Sequence, residues 1–185
     1  MTTLPLAARL TQDRRFAAIG LLGFVVALAA ASQVAVPIPG TPVPITLQPM
    51  VVVLAGLMLG PSLGAASMVI YLALGALGAP VFAPIGAPGI ARFFGPTGGY
   101  LIAYPAAAYI AGFVAQRVPS FSGRWLAAML GILVLFIGGI AQLTLLTGSV
   151  GRAIALGVTP FAILDVVKAF VAAMVAQPRA PSARD

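Results

Sequence analysis

The chain has 185 residues, of which only 7% are charged: ten Lys or Arg, three Asp, and no Glu or His, for a formal net charge of +7. Hydrophobic residues make up 61% and the mean hydropathy is +1.11, which excludes a soluble globule, whose exterior must be polar. There is no cysteine, so disulfides, thiolate metal sites and thiol redox chemistry are excluded together. The lack of histidine removes the commonest metal ligand and general base.

No charged residue lies between Arg15 and Arg92, a stretch of 76 residues. The chain therefore reads as an integral membrane protein, and at this length as one all-α membrane domain over residues 1–185. Arg9, Arg14 and Arg15 precede an apolar run over 16–36 that is longer than a signal-peptide core and lacks a polar cleavage region, so no cleaved signal is expected.

Taken in chain order, apolar windows predict six transmembrane helices over about 16–35, 47–59, 62–77, 100–115, 125–147 and 160–177. The first ends before Pro37 and Pro39, and a Pro-rich link follows over 36–46. The second and third are separated only by Gly60 and Pro61 and read as a tight hairpin of short or tilted members. Residues 78–99 are too rich in Gly and Pro for a regular helix, and such backbone is tolerated at a membrane only where it is buried in protein or lines a cavity. Residues 152–158 form a short interfacial segment. For the last helix, Thr159 is the expected N-cap and Pro160 the first helical residue.

With a cytoplasmic N-terminus, six spans place Arg9, Arg14, Arg15, Arg117, Arg124, Arg179 and Arg184 inside, and only Arg92 and Arg152 outside. That bias predicts both termini on the cytoplasmic side, with the 36–46 link, the 78–99 stretch and the start of the last helix converging on the outer side. The net charge thus reflects membrane topology, and no nucleic-acid partner is implied.

Chemistry is sparsely supplied. Lys168 is the only lysine and no Gly-rich phosphate loop precedes it, so ATP would have to be hydrolysed by another chain. Three aspartates, two of them near the chain ends, provide no carboxylate pair, catalytic triad or metal cluster, and the chain is not expected to be an enzyme. Asp165 and Lys168 lie three residues apart in the last span, on one helix face about 60° apart. Ionisable residues at membrane depth usually serve a cavity or a partner, although the two also form a self-neutralising pair that tolerates burial. Arg92, alone in its neutral surroundings, either snorkels to headgroups or meets a ligand. The string G-P-T-G-G-Y at 95–100 offers exposed N–H groups beside a helix start. Ala27, Ala31 and Ala35 follow one another at i, i+4 and i+8, a small-residue stripe that permits close approach of another helix.

Four strings in this order, V-P-I-T-L-Q at 43–48, L-A-G-L-M-L-G-P at 54–61, G-P-T-G-G-Y at 95–100 and P-F-x-x-x-D-x-x-K at 160–168, closely resemble the BioY family. These are the biotin-binding S components of energy-coupling factor (ECF) transporters, and the resemblance covers roughly 16–176. It implies six transmembrane helices in the inner (plasma) membrane of a bacterial cell. It also implies a biotin pocket near the outer face, with biotin as transported substrate rather than cofactor. The implied partners are a transmembrane T component and ABC ATPase subunits. Biotin presents a ureido ring with two N–H donors and a carbonyl, an apolar thiophane ring and a valerate carboxylate. Asp165, Lys168 and Gln48 suit its polar ends, and Tyr100 and Tyr71 its apolar ring. Which end meets which residue is open. The 36–46 link would be the outer lid, and the Ala27, Ala31 and Ala35 stripe would dock on the T component.

The sequence departs from the family pattern at Ala87, where a Gly-rich loop is common, and at Leu101, where some relatives carry a basic residue that Arg92 would replace here. Leu164 stands where a Gly often precedes the aspartate. Two other classes of function compete with an uptake subunit: a self-sufficient facilitator or channel constricted at Asp165 and Lys168, and a structural membrane scaffold, which needs no charge pair.

Overall fold

The computed structural model describes residues 14–177. Arg9, Arg179 and Arg184 lie outside the described residues. The protein is an all-α bundle with one small hairpin. In chain order it comprises α1 (Arg14–Gln33), β1 (Ala35–Val36), β2 (Ile45–Thr46), α2 (Gln48–Leu59), α3 (Pro61–Ala76), a 3-10 turn (Gly89–Phe94), α4 (Gly98–Arg117), α5 (Phe121–Thr147), α6 (Val150–Gly157) and α7 (Ala162–Val175). Among the described residues, α1, α4 and α5 are each long and apolar enough to cross a membrane, and α6 with α7 would make a fourth span, bent by 55°.

The α2–α3 hairpin is made of shorter apolar helices of 12 and 16 residues. At about 1.5 Å per residue neither reaches across a ~30 Å hydrocarbon core when upright. Its break has a local cause. Gly60 adopts φ +81 and ψ 177, outside the helical region, and Pro61 restarts the chain where a missing N–H costs nothing.

α4 is the hub of the bundle, packed on α2, α3 and α5, while α7 lies against α2 and α5, and α1 against α2 and α3. Leu28, Val52, Met68, Tyr71, Ala107 and Ala108 form the heart of the main core, and Val53, Ala128, Ile132, Ala169 and Ala172 join α2, α5 and α7 in a second cluster. Side chains at the bundle's rim, such as Ile19, Val26, Ile102, Leu133 and Ile163, are exposed. They suit contact with lipid.

The helices alternate in direction, so one pole gathers the end of α1, the β1–β2 hairpin, the start of α2, the irregular 77–97 segment, the start of α4, the end of α5, α6 and the start of α7. The 36–46 link is thus a hairpin strap, with Ala35 paired to Thr46 and Val36 to Ile45. The expected start of the last helix needs correction. Thr159 does not cap α7: its N–H and hydroxyl fold back onto Ile154 O, at 3.1 and 3.3 Å, and close the end of α6. Pro160 sits in the connecting turn and Phe161 precedes the helix. Carbonyls at the end of a helix need donors, and α6 takes Thr159 for that purpose. The shift leaves Asp165 in the first turn of α7, where the helix dipole favours an anion.

Candidate functional site

The recess pole holds a cavity of about 710 Å³, solvent at its mouth included. Its walls come from most of the elements gathered there, α1, β1 and α6 excepted. Val43, Pro44 and Thr46 belong to the strap, Gln48 and Pro49 to α2, Phe82 and Ala83 to the irregular segment, Arg92 to the 3-10 turn, and Thr97 to the turn before α4. Tyr100, Leu101 and Tyr104 come from α4, Leu135 and Phe136 from α5, and Phe161, Asp165 and Lys168 from the last turn and α7. Most of this lining is apolar, with a few convergent polar groups, the usual composition of a small-molecule site.

Asp165 and Lys168 form an ion pair, Nζ donating to Oδ1 at 2.6 Å, with their side chains 5% and 11% exposed. Among the described residues, Lys168 is the carboxylate's only side-chain partner. The pair is neutral as a unit, and it keeps both acceptor and donor capacity toward the recess.

Arg92 turns inward rather than snorkelling, and is only 6% exposed. Its two terminal nitrogens donate to the carbonyls of Ala83 and Ile85, its Nε is buried without a hydrogen-bond partner, and its guanidinium carbon lies 6.0 Å from the Phe82 ring centroid. The loop wraps the guanidinium at Gly86, where φ is +110 and a Cβ would collide with the arginine. Burial pulls the guanidinium's pKa down, but from so high a start that it remains charged at neutral pH. No carboxylate is paired with it among the described residues. Arg92 is therefore a fixed cation whose protein partners are neutral carbonyls.

Gln48 is 6% exposed and is held from two sides. Thr46 Oγ1 accepts from the Gln48 backbone N–H and donates to its Oε1, both at 3.3 Å, and Gln48 Nε2 donates to Tyr71 OH at 2.9 Å. Tyr100 lines the recess with its ring while its hydroxyl donates to Gly157 O at 2.6 Å, fastening α4 to the end of α6.

Five of the six ligand candidates expected from the sequence thus share one recess: Asp165, Lys168, Gln48, Tyr100 and Arg92. Tyr71 does not line it. That residue is fully buried behind the wall and contacts the site through Gln48. The alanine stripe also needs correction. Ala27 is exposed, but Ala31 is 8% exposed within its own bundle's core, and Ala35 lies beyond the helix end in β1. A helical i, i+4, i+8 pattern requires the helix to continue, and α1 stops at Gln33. Of the small residues that α1 presents outward, Gly23, Ala27 and Ala30 share one face, and Ala18 lies apart from them.

Sequence reasoning missed Tyr104, Phe82, Thr97, Leu135 and Phe136. Tyr104 was within reach, because it follows Tyr100 by four residues on the same face of α4. In so apolar a chain, nothing separates Phe82 or Phe136 from phenylalanines that face lipid.

The BioY family model matches residues 7–184. The chain belongs to the BioY family. It is 46% identical over 154 residues to a probable biotin transporter BioY of Pyrococcus horikoshii, covering 83% of this chain and 90% of the relative. It is 35% identical over 139 residues to the biotin transporter BioY of Thermotoga maritima, covering 75% and 82%. Its fold superposes with a TM-score of 0.78, at 26% identity and over 96% of this chain and 93% of the other, on the crystal structure of the S-component for biotin from an ECF-type ABC transporter. Membership makes this chain a multi-pass membrane transport protein and not an enzyme. The recess occupies the pole where this BioY chain loses regular helix.

Proposed function

We propose that the protein is the biotin-capturing S component of an ECF-type uptake transporter, with biotin held in the recess. The observation that carries this reading is the division of charge across the recess. It contains one neutral acceptor–donor pair, one cation lacking an anion, a few uncharged polar groups and otherwise apolar surface. Biotin has a neutral ureido head, an anionic valerate tail and an apolar ring between them. The Asp165–Lys168 pair suits the head, where Asp165 accepts from ureido N–H groups and Lys168 donates to the carbonyl. Gln48 adds a further amide edge. Arg92 suits the carboxylate, because an unpaired buried guanidinium gains most from an anion. Tyr100, Tyr104 and Phe136 suit the ring system.

Titration of the purified protein with biotin and with biotinamide, which lacks the anion, tests both halves. Arg92→Gln is expected to weaken biotin by about 10–30-fold, the worth of a charge-assisted hydrogen bond, and to leave biotinamide within twofold. Asp165→Asn is expected to weaken both ligands by about 30–100-fold, since it also strands Lys168. Absence of biotin binding by the natural sequence up to high micromolar concentrations would reject the biotin reading. Equal losses of both ligands in Arg92→Gln would reject the assignment of the carboxylate.

The recess pole then faces outward. Among the described residues, Arg14, Arg15, Arg117 and Arg124 mark the opposite pole, and Arg92 and Arg152, beside the paired Lys168, the recess pole, which supports a plasma-membrane topology with both termini cytoplasmic. Uptake would require a T component and ABC ATPases, with the Gly23, Ala27 and Ala30 face of α1 as the docking surface. Ala27→Trp is expected to abolish co-purification with a T component while biotin affinity stays unchanged. Intact complex formation would move the docking surface elsewhere.

A further inference from the structure

Behind the recess wall lies a polar relay that no ligand would touch. Ser32, in the last turn of α1, is fully buried, and its Oγ lies 2.6 Å from Val81 O and 2.7 Å from Ala29 O. Gln33 Nε2 donates into the same Oγ at 2.8 Å and also reaches Phe82 O at 3.2 Å. From α3, the fully buried Tyr71 donates its hydroxyl proton to Val81 O at 2.9 Å while receiving Gln48 Nε2. Val81 belongs to no helix or strand. Its carbonyl has two lone pairs: the Tyr71 hydroxyl takes one, and the Ser32 hydroxyl, whose single proton is shared with Ala29 O, reaches the other.

The anchoring of Val81 bears on the site through its neighbours in the chain. Phe82 and Ala83 line the recess, and the carbonyls of Ala83 and Ile85 are the acceptors that hold Arg92. The Phe82 ring is packed edge-on to Tyr71 at 5.5 Å and to Phe93 at 5.8 Å, which fixes its depth. Ring packing alone leaves the peptide planes on either side free to rotate about the chain direction, whereas a carbonyl gripped by two donors is fixed in direction as well. The Val81 carbonyl lies two residues before that of Ala83, so anchoring it shortens the segment free to reorient beside the guanidinium.

We propose that Ser32 and Tyr71 are positioning residues for the ligand site: their hydroxyls clamp Val81 O and thereby orient the Ala83–Ile85 cradle of Arg92, and Tyr71 also aims the amide of Gln48. This rests on the reading of Arg92 as the carboxylate contact. The two residues differ in what they support. Ser32 acts on the Arg92 side alone, whereas Tyr71 acts on both Arg92 and Gln48.

Ser32→Ala, Tyr71→Phe and Gln33→Leu separate these roles when each is titrated with biotin and biotinamide, with the natural sequence alongside. Ser32→Ala is expected to weaken biotin about fivefold, the worth of one neutral hydrogen bond, and biotinamide less than twofold. Tyr71→Phe is expected to weaken both ligands about fivefold or more, because Gln48 Nε2 also loses its acceptor. Gln33→Leu, at an exposed position, should follow Ser32→Ala at about half its effect and stands in if the buried variants fail to fold. A purely structural role would lower both affinities by one common factor. Amide hydrogen exchange across residues 79–86 is read without ligand and should accelerate in Ser32→Ala and Gln33→Leu.

Unchanged exchange in that segment, or equal losses of the two ligands in Ser32→Ala, would overturn the proposal. Failure of the natural sequence to bind biotin would instead strike the parent reading, and the exchange measurement would still decide whether the relay holds the loop.

Discussion

The two poles of the bundle are held together by different means, and the difference tracks what each has to do. At the pole opposite the recess, backbones touch. A Cβ added at Gly112 of α4 would lie 2.5 Å from Pro61 N and 2.7 Å from Gly56 O, and one added at Gly64 would lie 2.9 Å from the Gly56 Cα. Such contact between α2, α3 and α4 has no slack, and close packing of this kind stabilises helices where lipid competes equally for apolar side chains. At the recess pole one such contact between helix backbones remains, between Gly99 of α4 and Gly138 of α5, and the other elements are joined by side chains that reach to backbone carbonyls: Thr41 to Leu156 O, Tyr100 to Gly157 O, Ser32 and Tyr71 to Val81 O, and Arg92 to Ala83 O and Ile85 O. Each of the neutral bonds among these can break singly at a cost of about 1 kcal/mol, and those of Arg92 at about 1.5–3 kcal/mol, whereas a glycine interface fails as a unit. One pole is a fixed base, and the other, apart from the α4–α5 contact at Gly99 and Gly138, is assembled from separable links around a cavity.

The largest expected effect therefore comes from the base. Gly112→Val sets new atoms against the backbone of Gly60, Pro61 and Gly56, which has no side chain to move aside. The α2–α3 hairpin must then separate from α4, and with it the scaffold on which Gln48 and Tyr100 are carried. The expected outcome is loss of monodisperse protein on size-exclusion chromatography after membrane extraction, with no biotin binding in what remains. A well-behaved Gly112→Val protein of natural thermal stability would break the contrast between the poles.

The same contrast explains which parts could be read from the sequence. The base is written in local signals. Gly60–Pro61 marks the hairpin, long uninterrupted apolar runs mark α1 and α5, and charge asymmetry marks the ends. The recess pole depends on contacts between residues far apart in the chain, and there local rules misled. Thr159 and Pro160 look like a helix start, yet Thr159 bonds back to Ile154 O and closes the end of α6, a local C-cap that competes with the N-cap for the same residue. The alanine spacing looked like one stripe because spacing says nothing of where a helix stops, and α1 stops before Ala35. Asp165, Lys168 and Arg92 stood out because charge is rare in this chain, whereas Phe82, Leu135 and Phe136 carry no mark that separates a wall of the recess from a face toward lipid. Tyr71 was legible as important but not as indirect, since its hydroxyl is spent on Val81 and Gln48 rather than turned to the cavity.

The smallest expected effect tests whether the recess pole opens link by link. Thr41 lies in the strap between β1 and β2, and its Oγ1 donates to Leu156 O at 2.7 Å while accepting from Val43 N at 3.1 Å. The first bond joins the strap to the end of α6, and Val43 and Pro44, two and three residues on, form part of the recess wall. Thr41→Val keeps the side-chain shape and removes both bonds. Since no base contact is touched, thermal stability without ligand should stay within about 2 kcal/mol of the natural protein, the worth of two neutral hydrogen bonds. Ligand escape is different, because it requires the strap to lift. Loss of the link should speed biotin dissociation about three- to fivefold in stopped-flow displacement, with association little altered. An unchanged dissociation rate would mean that the strap is not what retains the ligand, and that exit runs past the Arg92 loop instead.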